Sequence, residues 1–371
     1  MSHYPGSERE RRVDHASLVR AMAAIFGACG MDERDAGLLA ATLAEADLRG
    51  VHSHGSMRVP DYVERLTAGG VDPRGRPRVV KDAGAALVVD GGNSMGQIGA
   101  AFAMDRAIER ARETGVAFAA VGGSNHCGAM AWFAMQALAE DMIGVASTNA
   151  LPTMAPWGGA ERVVGINPLA VAIPTGTPPA FVLDTAFSGS AMGKIVVYRQ
   201  KGEPIPEDWA LDADGRPTTD PAAAVDGLLR PIGGFKGVGL AMTMGILSTL
   251  LSGAGYGTRL GSLVEGARAG RDGHFVMALD VAAFTDVDDF KREMDEIHAE
   301  LRACRKAQGS EGSEGAERIY TPGEIEHETR ARYLADGIPL NDETLAGIVA
   351  AARTLGADAG ELGRVAEGAA G

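Results

Sequence analysis

The sequence predicts an α/β fold, and three observations carry this prediction. Short apolar runs typical of buried strands alternate with longer stretches whose apolar residues recur at helical spacing. One complete unit comprises a strand over 116–121, a glycine-rich turn over 122–128, a helical stretch over 129–141 and a second strand over 143–148. With 371 residues, the chain is long enough for two domains, or for one large α/β domain with a helical annex.

The segment before this unit predicts helices first and strands afterwards. Residues 13–49 carry two helical patterns, and Asp32 is placed to cap the second helix. Residues 57–68 predict a third helix, 77–90 predict strands and 97–112 predict a fourth helix.

The segment after the unit continues to alternate. Its longest apolar run, 238–252, is short for a membrane span and contains Gly245, so it predicts a buried helix. The other predicted elements are strands over 168–173 and 181–183, a helix starting near residue 191, a loop-rich excursion over 201–230, a last strand over 274–280, a helix over 287–307, a flexible linker over 309–315 and a helical tail from residue 328.

Composition argues against several kinds of partner. The formal net charge of −14 argues against nucleic acid or an anionic membrane, so an anionic ligand must be bound by local groups. Cys29, Cys127 and Cys304 are far apart and odd in number, which predicts no disulfide framework and fits a reducing cytosol. Residues 1–12 contain no signal-peptide core, so a cytoplasmic location is expected.

The turn over 122–128, Gly-Gly-Ser-Asn-His-Cys-Gly, is the first candidate for chemistry. Its glycines permit positive φ where the chain enters a helix, so backbone N–H groups are expected to point outward there. His126 is the one side chain of the turn that titrates near neutral pH. The alternative is a glycine-rich turn with an incidental histidine.

The second candidate stretch, 47–62, combines basic, hydroxyl and imidazole groups: Arg49, His52, Ser53, His54, Arg58 and Tyr62. His52 and His54 invite a metal site, but no nearby carboxylate or cysteine is expected to complete a ligand set. Ser53 and His54 could be a nucleophile and its base, but the G-x-S-x-G elbow is missing and adjacent side chains rarely hydrogen-bond to each other. Solvated polar residues at a helix junction are the remaining alternative.

The third stretch, 233–239, is Gly-Gly-Phe-Lys-Gly-Val-Gly and opens the apolar helix. A lone Lys236 at a glycine-rich helix start suits a phosphate group, although close helix packing produces the same pattern. Neither the dinucleotide fingerprint G-x-G-x-x-G nor a P-loop occurs in the sequence. The residues by themselves therefore indicate a cytosolic α/β enzyme with an anionic ligand and a histidine site.

Ordered motifs over roughly residues 10–345 resemble those of the type 2 malate/L-lactate dehydrogenase family. Each motif is short, and their order makes the resemblance specific. They are Arg49-Gly50-Val51-His52-Ser53-His54-Gly55 with Arg58 and Tyr62, Ser124-Asn125-His126, Thr148-Asn149, Pro156-Trp157-Gly158-Gly159, Asn167-Pro168, Leu183-Asp184-Thr185-Ala186, Gly234-Phe235-Lys236-Gly237 and Pro322-Gly323-Glu324.

The resemblance implies a fold, a cofactor and an assembly. It implies an NAD(P)-binding α/β domain over 77–308, with a mixed sheet that is not of the Rossmann type. A helical domain for substrate and dimer contacts would combine 10–76 with 316–371. The family binds NAD or NADP and forms homodimers, or multiples of dimers, with the site near the subunit contact.

The resemblance also implies roles for individual residues. His126 matches the proton acceptor, while Ser53, His54 and Asp184 match a proposed proton relay. Arg58 would bind the substrate carboxylate together with Tyr62. The cofactor contacts match Ala150, Asp184, Thr185, Ala186, Lys236, Gly323 and Glu324, and no metal ligand is implied. Cys127, Ala150 and Thr185 depart from the aromatic, serine and methionine residues usual in the family, and these departures concern the shape of the pocket.

The sequence therefore predicts an NAD(P)-dependent oxidoreductase that interconverts a small 2-hydroxy acid, of malate or lactate type, and its 2-oxo acid. His126 would accept and donate the proton, and Arg58 would orient the carboxylate. One alternative is an NADPH-dependent reductase of a cyclic imino acid. The other is a catalytically idle, cofactor-binding scaffold dimer, against which the retention of His126, Ser53, His54, Arg58 and Lys236 counts.

Overall fold

The computed structural model describes residues 10–261, 263, 265–306 and 318–367. The predicted linker over 309–315 lies outside these residues. The α-helices that the structure describes are α1 (His15–Ala28), α2 (Glu33–Leu48), α3 (Val59–Thr67), α4 (Gly96–Thr114), α5 (Ala131–Gln136), α6 (Met192–Lys201), α7 (Pro221–Asp226), α8 (Phe235–Thr249), α9 (Val287–Ala303), α10 (Glu324–Asp336), α11 (Asp342–Leu355) and α12 (Glu361–Glu367).

The strands are β1 (Arg11–Val13), β2 (Arg78–Ala83), β3 (Ala86–Asp90), β4 (Val116–Ser124), β5 (Met142–Thr148), β6 (Pro152–Met154), β7 (Val164–Gly165), β8 (Leu169–Ile173), β9 (Phe181–Thr185), β10 (Ala210–Leu211), β11 (Leu228–Leu229), β12 (Asp272–Asp280) and β13 (Ile338–Leu340). A seven-stranded sheet has the order β2-β3-β4-β12-β5-β8-β9. Within it β3 and β4 are parallel and the other neighbours are antiparallel. The predicted α/β class with a mixed sheet is confirmed.

The strand β12 lies at the centre of the sheet, between β4 and β5. Phe275 on β12 is paired with Ala120 on β4 and with Ser147 on β5. The predicted strand–turn–helix–strand unit is present, but its two strands are not neighbours. The strand predicted over 274–280 corresponds to β12, and it lies between β4 and β5.

Helix α4 shows how local pattern and packing agree. Met104, Ala107 and Ala111 recur at helical spacing and are buried in the cluster that covers the sheet. The helix ends at Gly115, whose φ of +79° is the left-handed conformation that favours glycine, and β4 begins at the next residue.

The two ends of the described chain share a hydrophobic cluster. Phe26 of α1, Leu43 of α2 and Ile348 of α11 are fully buried in it. β1 pairs antiparallel with β13, which places Val13 opposite Ile338. The division into 10–76 with 316–371 and 77–308 stays a prediction.

Two predicted segments differ from the structure. The excursion over 201–230 contains α7 and the β10–β11 pair, which bury Ala210, Ala224 and Leu229. Helix α8, predicted to be buried, packs one face on the sheet and exposes apolar residues on another, with Phe235 61% exposed. The prediction was wrong because hydrophobicity all round a helix does not tell which neighbours cover it. No helix among the described residues is long and apolar enough to cross a membrane.

Candidate active site

The strand β4 extends further into the predicted turn than the sequence indicates. Gly122 and Gly123 lie in β4, which ends at Ser124. A Cβ atom on Gly122 would lie 2.6 Å from the carbonyl oxygen of Ser252, so glycine permits close backbone packing here. Positive φ at the helix side of the turn occurs at Gly128, where φ is +76°.

Asn125 holds the turn in place, because both the nitrogen and the oxygen of its side-chain amide form hydrogen bonds. Its Nδ2 donates to the Ser94 carbonyl at 2.9 Å. Its Oδ1 accepts from Arg65 Nη2 at 2.6 Å and from the Gly270 N–H at 3.0 Å. The residue before His126 is therefore tied to three other segments, and this fixes the backbone that presents the imidazole.

The His126 ring is oriented by a chain of buried hydrogen bonds. The Tyr62 hydroxyl lies 2.7 Å from His126 Nδ1, and Gln97 Nε2 donates to the same hydroxyl at 3.1 Å. Tyr62 and Gln97 are completely buried. The His54 ring stacks beside His126 with 5.8 Å between ring centroids. Because Nδ1 is engaged, Nε2 is the His126 atom left for a substrate.

Both histidines are held neutral. Burial is the main reason that the pKa of His126 falls well below 6.5, and the charges of neighbouring His54 and Arg58 lower it further. Burial, followed by the charge of Arg58, lowers the pKa of His54 to about 4. A neutral imidazole can accept a proton at neutral pH, so either ring is chemically able to act as a base.

The loop that carries Ser53 and His54 is shaped by a buried carboxylate, Asp47. Asp47 Oδ1 lies 2.8 Å from His52 Nδ1, and Oδ2 accepts from the Ser56 N–H at 2.7 Å. A Cβ atom on Gly55 would collide with this carboxylate, so glycine is required beside it. Asp47 thus pairs with His52, but no group of three or more potential metal ligands forms among the described residues.

Ser53 and His54 do hydrogen-bond to each other, with Ser53 Oγ 2.9 Å from His54 Nδ1. The expectation that adjacent side chains would not pair was wrong because His52–His54 forms a 3₁₀ turn that brings the two side chains together. The pair lies next to His126, as the proton-relay role requires, and the role itself stays a prediction.

Arg58 is anchored by protein groups. Its Nε donates to the Ser53 carbonyl at 2.7 Å and its Nη1 to Asp61 at 2.9 Å. It precedes α3 as the last residue of a 3₁₀ turn, Ser56–Arg58. Its Nη2 has no partner among the described residues, but Arg58 is not among the residues that line the cavities at His126 and Asp184, so its carboxylate-binding role stays a prediction.

Asp184 takes the position at the start of α5, next to the turn whose backbone N–H groups were expected to point outward. Its Oδ2 accepts from the Ala131 N–H at 2.8 Å, so the chain supplies its own anion there. Burial raises the pKa of Asp184 to about 6, against the charge of Arg49. Asp184 and His54 line the same cleft, and His54 Nδ1 pairs with Ser53 Oγ.

Two cavities meet at His54. The His126 cavity, about 180 Å³, has the polar lining residues His54, Tyr62, Arg65, Asn125, His126, Thr153 and Asp272. The Asp184 cleft, about 210 Å³, is lined by Ser53, His54, Asp184, Thr185 and Ala186 among others. A groove of about 450 Å³ shares Arg49 and Trp132 with that cleft. The His126 cavity, the Asp184 cleft and the groove are therefore adjoining spaces.

The predicted cofactor residues are not all together. Thr185 and Ala186 line the Asp184 cleft, Ala150 lines the His126 cavity and Gly323 lines the neighbouring groove. Glu324 is buried, accepts from the Thr321 N–H at 2.9 Å and pairs with Arg318, so its carboxylate serves the fold. Lys236 is exposed near the start of α8, away from these spaces.

Four residues of this site were missed in the sequence, Arg65, Gln97, Asp272 and His274, and Asn125 was named in a motif without a role. Arg65 had a signal, because Arg58, Tyr62 and Arg65 recur at i, i+4 and i+7. His274 is fully buried in β12 and bonds Ser124 Oγ at 2.8 Å and Thr148 Oγ1 at 2.7 Å. It had no local signal, because its partners come from β4 and β5.

The metal alternative finds no geometric support in the part of the chain that the structure describes. No group of three or more His, Cys, Asp or Glu side chains is placed there to hold a metal ion. His52 is engaged by Asp47 and His54 by Ser53, so the two histidines of the motif serve different partners.

Comparison with known proteins gives the same picture over nearly the whole chain. Residues 13–349 match the family model described as malate/L-lactate dehydrogenase. The malate dehydrogenase of Pyrococcus abyssi is 36% identical over 353 residues, covering 93% of this chain and 95% of that protein. The sulfolactate dehydrogenase structure from Methanocaldococcus jannaschii has a TM-score of 0.87 at 34% identity, covering 94% of this chain and 98% of that one.

Two further relatives have names that state their cofactor. The NAD(+) ureidoglycolate dehydrogenase of Escherichia coli O157:H7 is 33% identical and covers 85% of this chain and 88% of its own length. The NADP(+) (2R)-3-sulfolactate dehydrogenase of Chromohalobacter salexigens is 38% identical, and the match covers 71% of this chain and 79% of that protein. The class is thereby established: this protein is an NAD(P)-dependent oxidoreductase. More narrowly, the chain belongs to the malate/L-lactate dehydrogenase family.

Proposed function

We propose that this enzyme interconverts a small 2-hydroxy acid, of malate or lactate type, and its 2-oxo acid, with His126 as proton acceptor and donor. The observation that carries the proposal is the Gln97–Tyr62–His126 chain at the wall of the His126 cavity. It leaves one imidazole nitrogen facing the space where a hydroxyl group would lose its proton.

The protein residues supply orientation and proton transfer. With Nδ1 fixed by Tyr62, His126 Nε2 accepts the substrate hydroxyl proton in one direction and returns it to the carbonyl oxygen in the other. Arg58 holds the substrate carboxylate through its remaining N–H groups, and Tyr62 fixes the ring that the substrate meets. Ser53 and His54 would pass the proton onward, and the stacking of the His54 ring beside His126, with 5.8 Å between ring centroids, supports this role.

The NAD(P) cofactor fits the Asp184 cleft and the groove beside it. Trp132 Nε1 and Gln136 Oε1 are buried polar atoms without a partner among the described residues, and both side chains line the groove. A ligand with donors and acceptors, such as a dinucleotide, would suit such a wall. When bound, its nicotinamide ring supplies the hydride chemistry. Asp184, Thr185 and Ala186 would hold it, with Gly323 allowing close approach.

We also propose that the protein is a homodimer, or a multiple of dimers, that uses α8 in the subunit contact. Phe235 and Trp157 are 61% and 67% exposed, and their rings meet edge to face. Leu240, Ile246 and Leu250 continue this exposed apolar surface along α8. Contiguous exposed apolar area of this kind marks association surfaces. Lys236 follows Phe235 at the start of α8, and its proposed cofactor role requires that a subunit contact bring it to the cofactor.

The assembly is tested by Leu240→Glu, which puts a charge into this surface. Analytical ultracentrifugation should show a dimer for the wild type and a smaller species for the variant. Identical sedimentation of both proteins would place the contact elsewhere.

The reaction is tested by a turnover screen of 2-oxo acids and cyclic imino acids with NADH and NADPH. Oxidation of the cofactor by at least one 2-oxo acid, lost in His126→Asn, is the expected result. Turnover confined to cyclic imines would favour the reductase alternative. Cofactor binding without turnover of any compound would favour the alternative of a catalytically idle scaffold dimer. The cytoplasmic location stays a prediction, based on the reduced cysteines.

A further inference from the structure

The His126 cavity contains two opposite charges that the proposed reaction does not use. Arg65 of α3 is 3% exposed and Asp272, the first residue of β12, is 8% exposed. Both side chains line the cavity beside His126. Arg65 is held by neutral oxygens, the Asn125 side-chain oxygen at 2.6 Å and the Arg268 carbonyl at 2.5 Å. These contacts fix its position, and the charge of Asp272 acts on it as well.

Asp272 is different, because its carboxyl group has no side-chain partner among the residues that the structure describes. Burial raises the pKa of Asp272 to about 7, and the charge of Arg65 acts in the opposite direction. A buried carboxyl group normally has hydrogen-bond donors around it, since burial without them costs free energy. Asp272 has its own backbone N–H as a donor, and in this cavity a donor on the bound ligand would add a second one.

The rest of the cavity wall is largely apolar, with Val71, Met95 and Leu260 among the lining residues. Little water would remain between a bound substrate and Asp272. Interactions between charges are strong in such surroundings, because neither water nor salt screens them well.

We propose that Asp272 selects the substrate by the charge of its distal group. The cavity would take 2-hydroxy acids whose side chain ends in an uncharged hydrogen-bond donor, such as an amide, ureido or hydroxyl group. It would disfavour acids with a second negative charge, because the ionised Asp272 repels that charge and accepts no hydrogen bond from it. This inference rests on the proposed function, since it concerns the side chain of the same substrate.

The test uses malate and malamate, the C4 amide of malate, which have nearly the same shape and differ in distal charge. Both enantiomers of each are assayed for oxidation in alkaline buffer, where Asp272 is ionised. Wild-type kcat/KM should be at least about tenfold higher for malamate. Asp272→Asn should reduce this ratio by about tenfold or more, mainly through the KM of malate. Asp288→Asn, which removes an exposed carboxylate of α9, should leave the ratio unchanged.

A wild-type preference for malate, or an unchanged ratio in Asp272→Asn, would overturn the inference. The wild-type ratio of kcat/KM for malamate and malate tests the charge selection even if Asp272→Asn does not fold.

Binding of succinate and succinamate, measured by calorimetry with cofactor present, separates this inference from the proposed function. These compounds lack the reacting hydroxyl group, so they report charge selection without turnover. Tighter wild-type binding of succinamate, lost in Asp272→Asn, supports the selection, and equal wild-type affinities contradict it. If neither malate nor malamate is oxidised under any condition while the calorimetric preference holds, the proposed reaction fails and the charge selection stands.

Discussion

The two glycine-rich turns, one with His126 and one with Lys236, look alike in sequence and differ in the structure. Each has glycines around one basic side chain, His126 or Lys236, before a helix. The His126 turn is enclosed by Asn125, Tyr62 and Gln97, and its helix start is already occupied by Asp184. Lys236 is exposed beside Phe235 on an apolar surface.

The difference teaches that a local pattern specifies the backbone and not its partner. Glycine in the first turn serves close packing, as Gly122 does against Ser252. In the second turn, Gly234 has a φ of +63° and caps α8. The partners of His126 all come from the same chain, whereas the proposed role of Lys236 depends on a subunit that covers α8.

The largest effect is expected from His126→Asn. Removing the proton acceptor should lower kcat by about 10²–10⁴-fold with cofactor affinity nearly unchanged, because general acid–base catalysis supplies about that much. His54→Asn is the matched control, and it should cost less and mostly in kcat/KM. Steady-state kinetics decide between them: loss of turnover in His54→Asn together with a few-fold effect in His126→Asn would make the Ser53–His54 pair the proton relay.

His274→Asn should show how strongly the first turn depends on its buried support. Burial lowers the pKa of His274 to about 4 from an ordinary value of 6.5. The unfolded chain therefore takes up a proton below about pH 6.5 that the folded chain does not, so this group lowers stability as the pH falls towards 4. Because Asn does not titrate, the His274→Asn variant does not lose stability in this way as the pH falls.

The measurement is the difference in free energy of unfolding between wild type and His274→Asn at several pH values. The cost of the substitution at neutral pH should shrink in acid by an amount on the order of 3 kcal/mol. A difference that stays constant with pH would show that His274 titrates normally.

Lys236→Ala tests the second turn. If a subunit contact brings Lys236 to the cofactor, its loss should raise the Kd by about tenfold to a hundredfold, the worth of one charge-assisted hydrogen bond. Nicotinamide fluorescence measures this, and Lys81→Ala, an exposed lysine of β2, is the control. Equal Kd values for both variants would mean that Lys236 has no cofactor role.

The smallest effect is expected from Gln97→Leu. The substitution removes the donor to the Tyr62 hydroxyl, a neutral hydrogen bond worth about 1 kcal/mol, so kcat should fall by about three- to tenfold. Because the bond acts through the His126 ring, the pH profile of kcat/KM should shift as well. A drop in kcat with an unmoved pH profile would indicate a purely structural role for Gln97.

Elements with a strong local pattern could be predicted from the sequence, and pairings across the chain could not. Asp32 caps α2, accepting from the Asp35 N–H at 2.9 Å, because capping depends on neighbours in sequence. The central position of β12 and the bonds of His274 depend on contacts between distant segments. The exposure of α8 was missed for a related reason, since its pattern does not tell which surface covers it.

The site residues divide in the same way. His126, Ser53 and His54 were found from motifs and do lie together. Glu324 was assigned a ligand role, but its carboxylate is committed to Thr321 and Arg318. Asp272 enters the site because β12 pairs with β4, and no short motif could reveal that.

The central position of β12 also has a consequence for the order of synthesis. A ribosome makes β4 and β5 long before β12, and until then each of these strands presents an unpaired edge in the growing polypeptide. Exposed strand edges recruit other chains, so the nascent N-terminal half is vulnerable to aggregation. The His126 turn acquires its final support only when residues 272–280 emerge. A chain stopped before that point would carry the family's histidine motifs and lack the strand that assembles them.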